Sequence, residues 1–198
     1  MTDDDIAEDE PFTPFGRWFA LAARSEPLAE TIMLATATSD GRPSVRAVLL
    51  KEFDAAGFVF YTNLESRKGL ELAANPQVAL CLHWKSLGRQ VRIEGGVTPV
   101  SIADADAYFA SRARDSRIGA WASDQSRPLR DRGELGRRFA DFSERFASQE
   151  AVPRPANWSG YRVRPERIEF WQDRPFRLHD RVLFEHDGER WQKRRLYP

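Results

Sequence analysis

TIMLATATSDGRPSVRAVLLK, residues 31–51, decides the fold class. Thr31–Thr38 is apolar and β-branched, Ser39-Asp40-Gly41 is turn chemistry, and Ser44–Lys51 is a second apolar run. The segment therefore reads as two strands joined by a tight turn. So short a reversal requires antiparallel pairing, because a parallel partner needs a crossover of about a dozen residues or more. The same pattern continues outward. A loop at Asp54–Gly57 leads to a strand at Phe58–Thr62, and strands at Val78–Trp84 and Arg89–Pro99 follow. Three more are expected at Gly160–Trp171, Arg177–Glu185 and Arg190–Leu196.

Helical signals fall between and before these runs. Phe15, Trp18, Phe19 and Ala22 recur at helical spacing and fade near Glu26-Pro27. Ser66 opens a short helix that stops at Asn75-Pro76, since proline disfavours helical geometry in the residue before it. Ser101-Ile-Ala-Asp104 is a capping-box type signal for a helix through Tyr108 and Phe109, and more helix is expected around Ile118–Ala122. Leu135, Phe139, Phe142 and Phe146 mark one face of a helix from Leu129 to Ser148, which Val152-Pro-Arg-Pro155 ends. Two strand groups split by a helical insertion predict a mainly β fold, a barrel or sandwich with helices packed around it. No glycine-rich strand-to-helix turn supports a Rossmann or P-loop site.

Composition narrows the function classes. The 198 residues hold 30 basic and 30 acidic side chains, but the first ten, MTDDDIAEDE, carry six of the acids and no base. Residues 1–12 read as a disordered acidic tail, and 13–198 as one domain with an excess charge of about +6. A mildly basic body suits small anions. Its cations are scattered through separate elements rather than set in one stripe, which argues against nucleic acid. Cys81 is alone, in an apolar strand, so a disulfide framework, a CxxC pair and a nucleophilic thiol are all set aside, and no metal site is expected. No apolar run approaches the ~20 residues of a membrane span. A cytoplasmic location is expected.

Four local patterns carry chemistry. Arg177, His179 and Arg181 alternate, which places them on one face if the strand runs through them, with Leu178 and Val182 turned to the core. The choice lies between a solvated edge and a ligand pocket walled by Phe170, Trp171 and Phe176. Ser66-Arg67-Lys68 puts two cations at a helix start, where the macrodipole favours anions; an intervening phosphate resolves the conflict, and plain exposed charges are the alternative. Tyr108, Arg112 and Ser116 are spaced to share a face of one continuous helix and reach a single phosphate, or else form a solvated turn. Arg46 and Lys51 bracket an apolar strand and face opposite sides of it, unless the strand bends or ends before Lys51.

Taken in order, the segments resemble the pyridoxamine 5′-phosphate oxidase family. The resemblance is carried by RAVLLK (46–51), FVFYTNLESRKGLEL (58–72), HWKSLGRQVRIEG (83–95), YFASRARDSRIGAWASDQS (108–126), WSGYRVRPERIEFWQ (158–172), and RLHDR with RLYP (177–181, 195–198). It implies an antiparallel split β-barrel and a homodimer with active sites at the subunit interface, to which about 158–198 contributes. FMN would be held by Arg46, Ala47, Val48, Leu49, Tyr61, Thr62, Ser66, Arg67, Lys68, Gln90, Gln125, Ser126, Trp171 and Arg181. Lys51, Tyr108, Arg112 and Ser116 would take the substrate phosphate, and Arg177 and His179 would act over the substrate ring as catalytic residues. The implied reaction is oxidation of pyridoxamine or pyridoxine 5′-phosphate to pyridoxal 5′-phosphate, with hydride passing from C4′ to flavin N5 and dioxygen reduced to hydrogen peroxide. Alternatives are a related FMN oxidase of another aromatic, of the phenazine type, and a non-catalytic flavin- or pyridoxal-phosphate-binding protein. The chain departs from the family's Asp-Pro-Asn-Ala type lead-in at Ala29-Glu30-Thr31-Ile32.

Overall fold

The computed structural model describes residues 6–198. Helix α1 (Phe12–Ala22) precedes strands β1 (Thr31–Ala37), β2 (Pro43–Asp54) and β3 (Gly57–Asn63). Helix α2 (Arg67–Ala74) leads to β4 (Gln77–Trp84) and β5 (Arg89–Pro99). Helices α3 (Ile102–Ser111), α4 (Arg114–Ala122) and α5 (Glu134–Arg145) form the insertion, and β6 (Trp158–Gln172), β7 (Asp180–His186) and β8 (Trp191–Arg195) complete the chain.

The strand order is β3-β2-β1-β4-β5-β6-β7-β8, every pairing is antiparallel, and a further β3–β6 ladder closes the first six strands into a ring. The 15-residue β6 makes this possible. Its first part, Trp158–Val163, pairs with β3, and its last part, Arg167–Gln172, pairs with β7. Between them Pro165, which has no N–H to donate, sits where the β5–β6 register shifts at Glu94/Gly95. Closure brings backbones close. A Cβ on Gly95 would lie 2.0 Å from the Arg164 carbonyl oxygen, and one on Gly57 would lie 1.9 Å from that of Val163.

The barrel interior is filled by Ile32, Leu34, Phe58, Phe60, Leu80, Leu82, Val91, Ile93, Val163 and Ile168, all essentially inaccessible to water. Helix α1 lays its apolar stripe on this core. Phe15 meets Phe58 edge-on at 4.9 Å, and Trp18 meets Phe170 at 5.2 Å. Burying large aromatics contributes about 2–3 kcal/mol each, which is why an 11-residue helix holds its place. Helices α4 and α5 have a separate small core of Ile118, Phe146 and Val152, flanked by Trp121, Phe139 and Phe142.

The hairpins, the helix starts at Ser66 and Ser101 and the antiparallel β fold agree with the sequence reading. Both cap side chains accept backbone N–H groups, from Gly69 and Asp104. Four expectations change. First, β7 begins at Asp180, and residues 175–177 form a 3₁₀ turn in which Phe176 (φ 60°) and Arg177 (φ 62°) are left-handed. Arg177 and His179 thus precede the strand instead of alternating along it with Arg181, and Leu178 is exposed while Val182 is buried. Second, α3 ends at Ser111 and Arg112 is extended (ψ 150°), so Tyr108, Arg112 and Ser116 do not share one helix. Third, α5 covers 134–145 only, and Leu135 lies outside the small core. Fourth, the expected acidic tail lies in part at 1–5, outside the described residues; beyond it Ile6 is buried in the main core and Glu8 pairs with Arg17 at 2.5 Å.

Gly57→Ala meets both a φ of +130° and a backbone oxygen, whereas Gly41→Ala (φ +85°) meets nothing within 4 Å. Strain alone costs about 1 kcal/mol at Gly41. At Gly57 the loss is about 2 kcal/mol or more. Thermal unfolding checks this: the Gly57 variant should melt roughly 4–8 °C below the parent, and the Gly41 variant distinctly less.

Candidate active site

A cavity of about 1000 Å³ opens between β2, the end of β3, the start of α2 and the α3–α4 break. Its wall includes Arg46, Ala47, Val48, Leu49, Lys51, Tyr61, Thr62, Arg67, Lys68, Tyr108, Arg112, Ser116, Gln125, Ser126 and Trp158. Lys51 joins Arg46 there because the β2–β3 ladder slips between Leu50 and Glu52. The inserted residue re-aims the strand, so the opposite-face rule for an ideal strand does not apply. Arg112 and Ser116 reach the same wall as Tyr108 from either side of the helix break, so the three converge without a shared helix. Five cations line the cavity, and no Asp or Glu does so among the described residues.

One end of the wall is built on the N-terminus of α2. Ser66 is buried as its cap, and Lys68, 9% exposed, reaches Gln125 Oε1 at 2.9 Å and Ser66 Oγ at 3.3 Å. Burial, then the nearby charge of Arg46, pushes the Lys68 ammonium down from its ordinary value. Behind these cations lies Glu71, 6% exposed. Its Oε2 accepts hydrogen bonds from Thr36, from Ser44 at 2.7 Å and from Arg46 at 3.4 Å, while Oε1 accepts from Arg67 Nε at 2.8 Å. Burial alone raises this carboxyl; the hydrogen bonds from Thr36, Ser44 and Arg67 outweigh it and hold the group at about 2.

The other side of the wall is aromatic. Tyr61 stacks on Tyr108 at 4.0 Å and on Trp158 at 5.3 Å, and the Arg112 guanidinium lies 4.9 Å above the Trp158 ring. Burial, with the charges of Glu52 and Asp104, pushes the Tyr61 phenol up to about 12, so it stays a neutral donor. Arg112 Nη1 is buried with no hydrogen-bond partner, and burial lowers its pKa. A buried guanidinium N–H left without a partner is costly, and the stacking on Trp158 offsets only part of that cost.

Gln90, Trp171, Arg177, His179 and Arg181 do not line this cavity. They gather along β5–β6–β7, where Gln90 pairs with Trp171 and Trp171 with Arg181. The His179 ring sits 4.6 Å from that of Trp171, and its Nδ1 lies 3.0 Å from Asp173 and 3.2 Å from the Arg174 N–H. Arg181 donates to Glu169 at 2.8 Å and to the Tyr197 carbonyl at 2.9 Å. Sequence reasoning assigned no role to Glu71, Thr36, Ser44 or Trp158. The Arg67–Glu71 i, i+4 spacing was the available signal for the first.

A closed antiparallel ring with a cationic cavity on one flank defines the split-barrel class, and comparison with known proteins gives the family. Residues 22–192 match the family model described as pyridoxamine 5′-phosphate oxidase. A pyridoxine/pyridoxamine 5′-phosphate oxidase of Sphingopyxis alaskensis is 64% identical over 96% of this chain and 88% of its own, and one of Rhodospirillum rubrum is 61% identical over 98% of both. The crystal structure of PhzG from Burkholderia lata 383, in complex with tetrahydrophenazine-1-carboxylic acid, superposes with a TM-score of 0.92 at 35% identity, covering 100% of this chain and 97% of that one. The chain belongs to the pyridoxamine 5′-phosphate oxidase family.

Glu71 also sets a pH dependence. Its folded pKa of about 2 lies below the ordinary 4.5, so its contribution to stability is complete above pH 4.5 and is lost as pH falls toward 2. Chemical denaturation between pH 7 and pH 3 should show a steeper loss for the parent than for Glu71→Gln, which has no carboxyl to protonate.

Proposed function

We propose that this protein oxidises pyridoxamine and pyridoxine 5′-phosphate to pyridoxal 5′-phosphate with FMN, as a homodimer. One observation carries the reading: a single cavity is lined by cations from different elements, Arg67 and Lys68 at the α2 N-terminus and Lys51 on β2 with Arg112 at the α3–α4 break. Two phosphates, one on the cofactor and one on the substrate, match those two groups. The first position fits the FMN phosphate, with Arg46, Thr62, Gln125 and Ser126 around it and the Ala47–Leu49 stretch of β2 alongside. The second fits the substrate phosphate, where Tyr108 and Ser116 add hydroxyl donors to the two cations. When bound, FMN would supply a two-electron acceptor for the hydride of the substrate's C4′, with dioxygen as terminal oxidant and hydrogen peroxide as its product, and water would release the nitrogen of the amine substrate as ammonia. The chain's own groups hold and orient the reactants.

Arg177 and His179 lie outside the cavity of their own chain, which supports a site completed by a second copy. The outer face of β1, β2 and β4 supplies the surface for it. Met33 on β1 is 42% exposed there, opposite Cys81 on β4 and Ala47 on β2, and Val45 and Leu49, 62% and 38% exposed, carry this face to the cavity they line with Ala47. In the dimer, the second copy's Arg177 and His179 orient the substrate ring, with Gln90, Trp171 and Arg181 closing over the flavin. The second reading, oxidation of an aromatic carboxylate of the kind bound to PhzG, rests on the superposition with that structure.

Anaerobic titration of FMN-loaded protein with pyridoxine 5′-phosphate decides the matter. Stoichiometric bleaching of the flavin absorbance is expected; an unbleached flavin refutes the reading. Arg112→Ala should raise KM for pyridoxamine 5′-phosphate roughly 10- to 100-fold with a smaller change in kcat. Arg177→Ala and His179→Ala should lower kcat, and unchanged turnover in both removes their catalytic assignment. Shared sites have their own signature. Mixed dimers of Arg112→Ala and Arg177→Ala chains should be more active than either parent, because one of their two sites is intact.

A further inference from the structure

Glu71 sits beneath the cavity wall and touches no cavity space itself, yet four side chains converge on it. Oε2 accepts from Thr36 on β1 and from Ser44 and Arg46 on β2. Among the described residues, Oε1 accepts from Arg67 Nε alone. The strand side of the carboxylate is thus anchored three times, by residues that are themselves in the barrel. The helix side holds one guanidinium, whose side chain is 63% exposed and lines the cavity. Arg46 is engaged differently: Nη1 donates to the Leu34 carbonyl at 3.1 Å and to Thr36 at 2.6 Å, and Nη2 donates to Ser44 and Glu71. Its donors are largely consumed inside the protein. The Arg67 Nη groups make no hydrogen bond among the described residues, and they remain for a ligand.

We propose that Glu71 is the positioning residue of the anion end: it ties Arg67 by Nε to the barrel strands, so that the opposite edge of that guanidinium is presented to a phosphate at the α2 N-terminus. This deepens the flavin reading and rests on it. The physical advantage is pre-organisation. A long, exposed arginine pays conformational entropy when a ligand fixes it, and a side chain already held at Nε has paid part of that cost on folding.

Glu71→Gln is a selective probe of this role. An amide has one acceptor and one donor end. Three donors crowd Oε2, so the amide oxygen is held on the strand side and the NH₂ is turned toward Arg67 Nε, donor against donor. The barrel contacts survive while Arg67 is released. The test uses purified protein stripped of flavin and titrated by flavin fluorescence with FMN and with riboflavin, which lacks the phosphate. Glu71→Gln should weaken FMN roughly 10-fold or more and riboflavin less than about twofold. In an Arg67→Ala background the same substitution should leave FMN affinity unchanged, because nothing is left to position. Ser44→Ala, a milder change that removes one anchor, should weaken FMN to a lesser degree and again spare riboflavin.

Equal losses for FMN and riboflavin overturn the proposal and make Glu71 a structural residue. An unchanged or tighter FMN affinity in Glu71→Gln also overturns it, since net positive charge would then outweigh positioning. So does a full effect that persists in the Arg67→Ala background. A parent protein that binds no FMN overturns the flavin reading itself, and this inference with it; that outcome is separate, because it is read on the parent before any variant is made.

Discussion

The β3–β6 ladder is the constraint from which the rest follows. Without it the eight strands are an open sheet with two edges; with it six of them form a ring whose interior excludes water. β6 has to serve three neighbours along its 15 residues, and it does so by changing partners where Pro165 and Gly95 interrupt the regular register. The change in partner frees β7 and β8 to leave the ring. It also sets Trp158 at the β3 end of the strand and Trp171 at the β7 end, so one strand contributes to the cavity and to the separate patch of Arg177 and His179.

The cavity wall and the β6–β7 patch follow one electrostatic plan. A carboxylate nearly closed to solvent sits behind the arginines, Glu71 behind Arg46 and Arg67, and Glu169 (8% exposed) between Arg92 and Arg181. Each acid offsets the repulsion of gathered cations and fixes their direction without occupying ligand space. The cavity wall therefore keeps a net positive face, with five cations against the one carboxylate behind them.

Much of this was legible in the sequence, and the exceptions have physical causes. Strand positions were clear because β-branched runs alternate with turn residues, and the caps at Ser66 and Ser101 because their side chains do the same job wherever a helix starts. Most of the residues matched to the family by position meet in one cavity. What failed was regularity carried too far. Alternation was extended through Arg177 and His179, where two left-handed residues follow Pro175; helical spacing was extended through Arg112, where the chain turns extended. Lys51 depended on a bulge, which no local pattern of side chains announces. Glu71 looked like one more charged helix residue, since its partners on β1 and β2 are 35 and 27 residues away in the chain.

Helices α4 and α5 pack on their own small core, distinct from that of the barrel, yet α4 and the loop after it supply Ser116, Gly119, Ala120, Ser123, Gln125 and Ser126 to the cavity wall. Such an arrangement uncouples evolvability from foldability. Substitutions that reshape this part of the wall tax only a satellite, so the shape of the cavity is free to vary without compensating stability elsewhere.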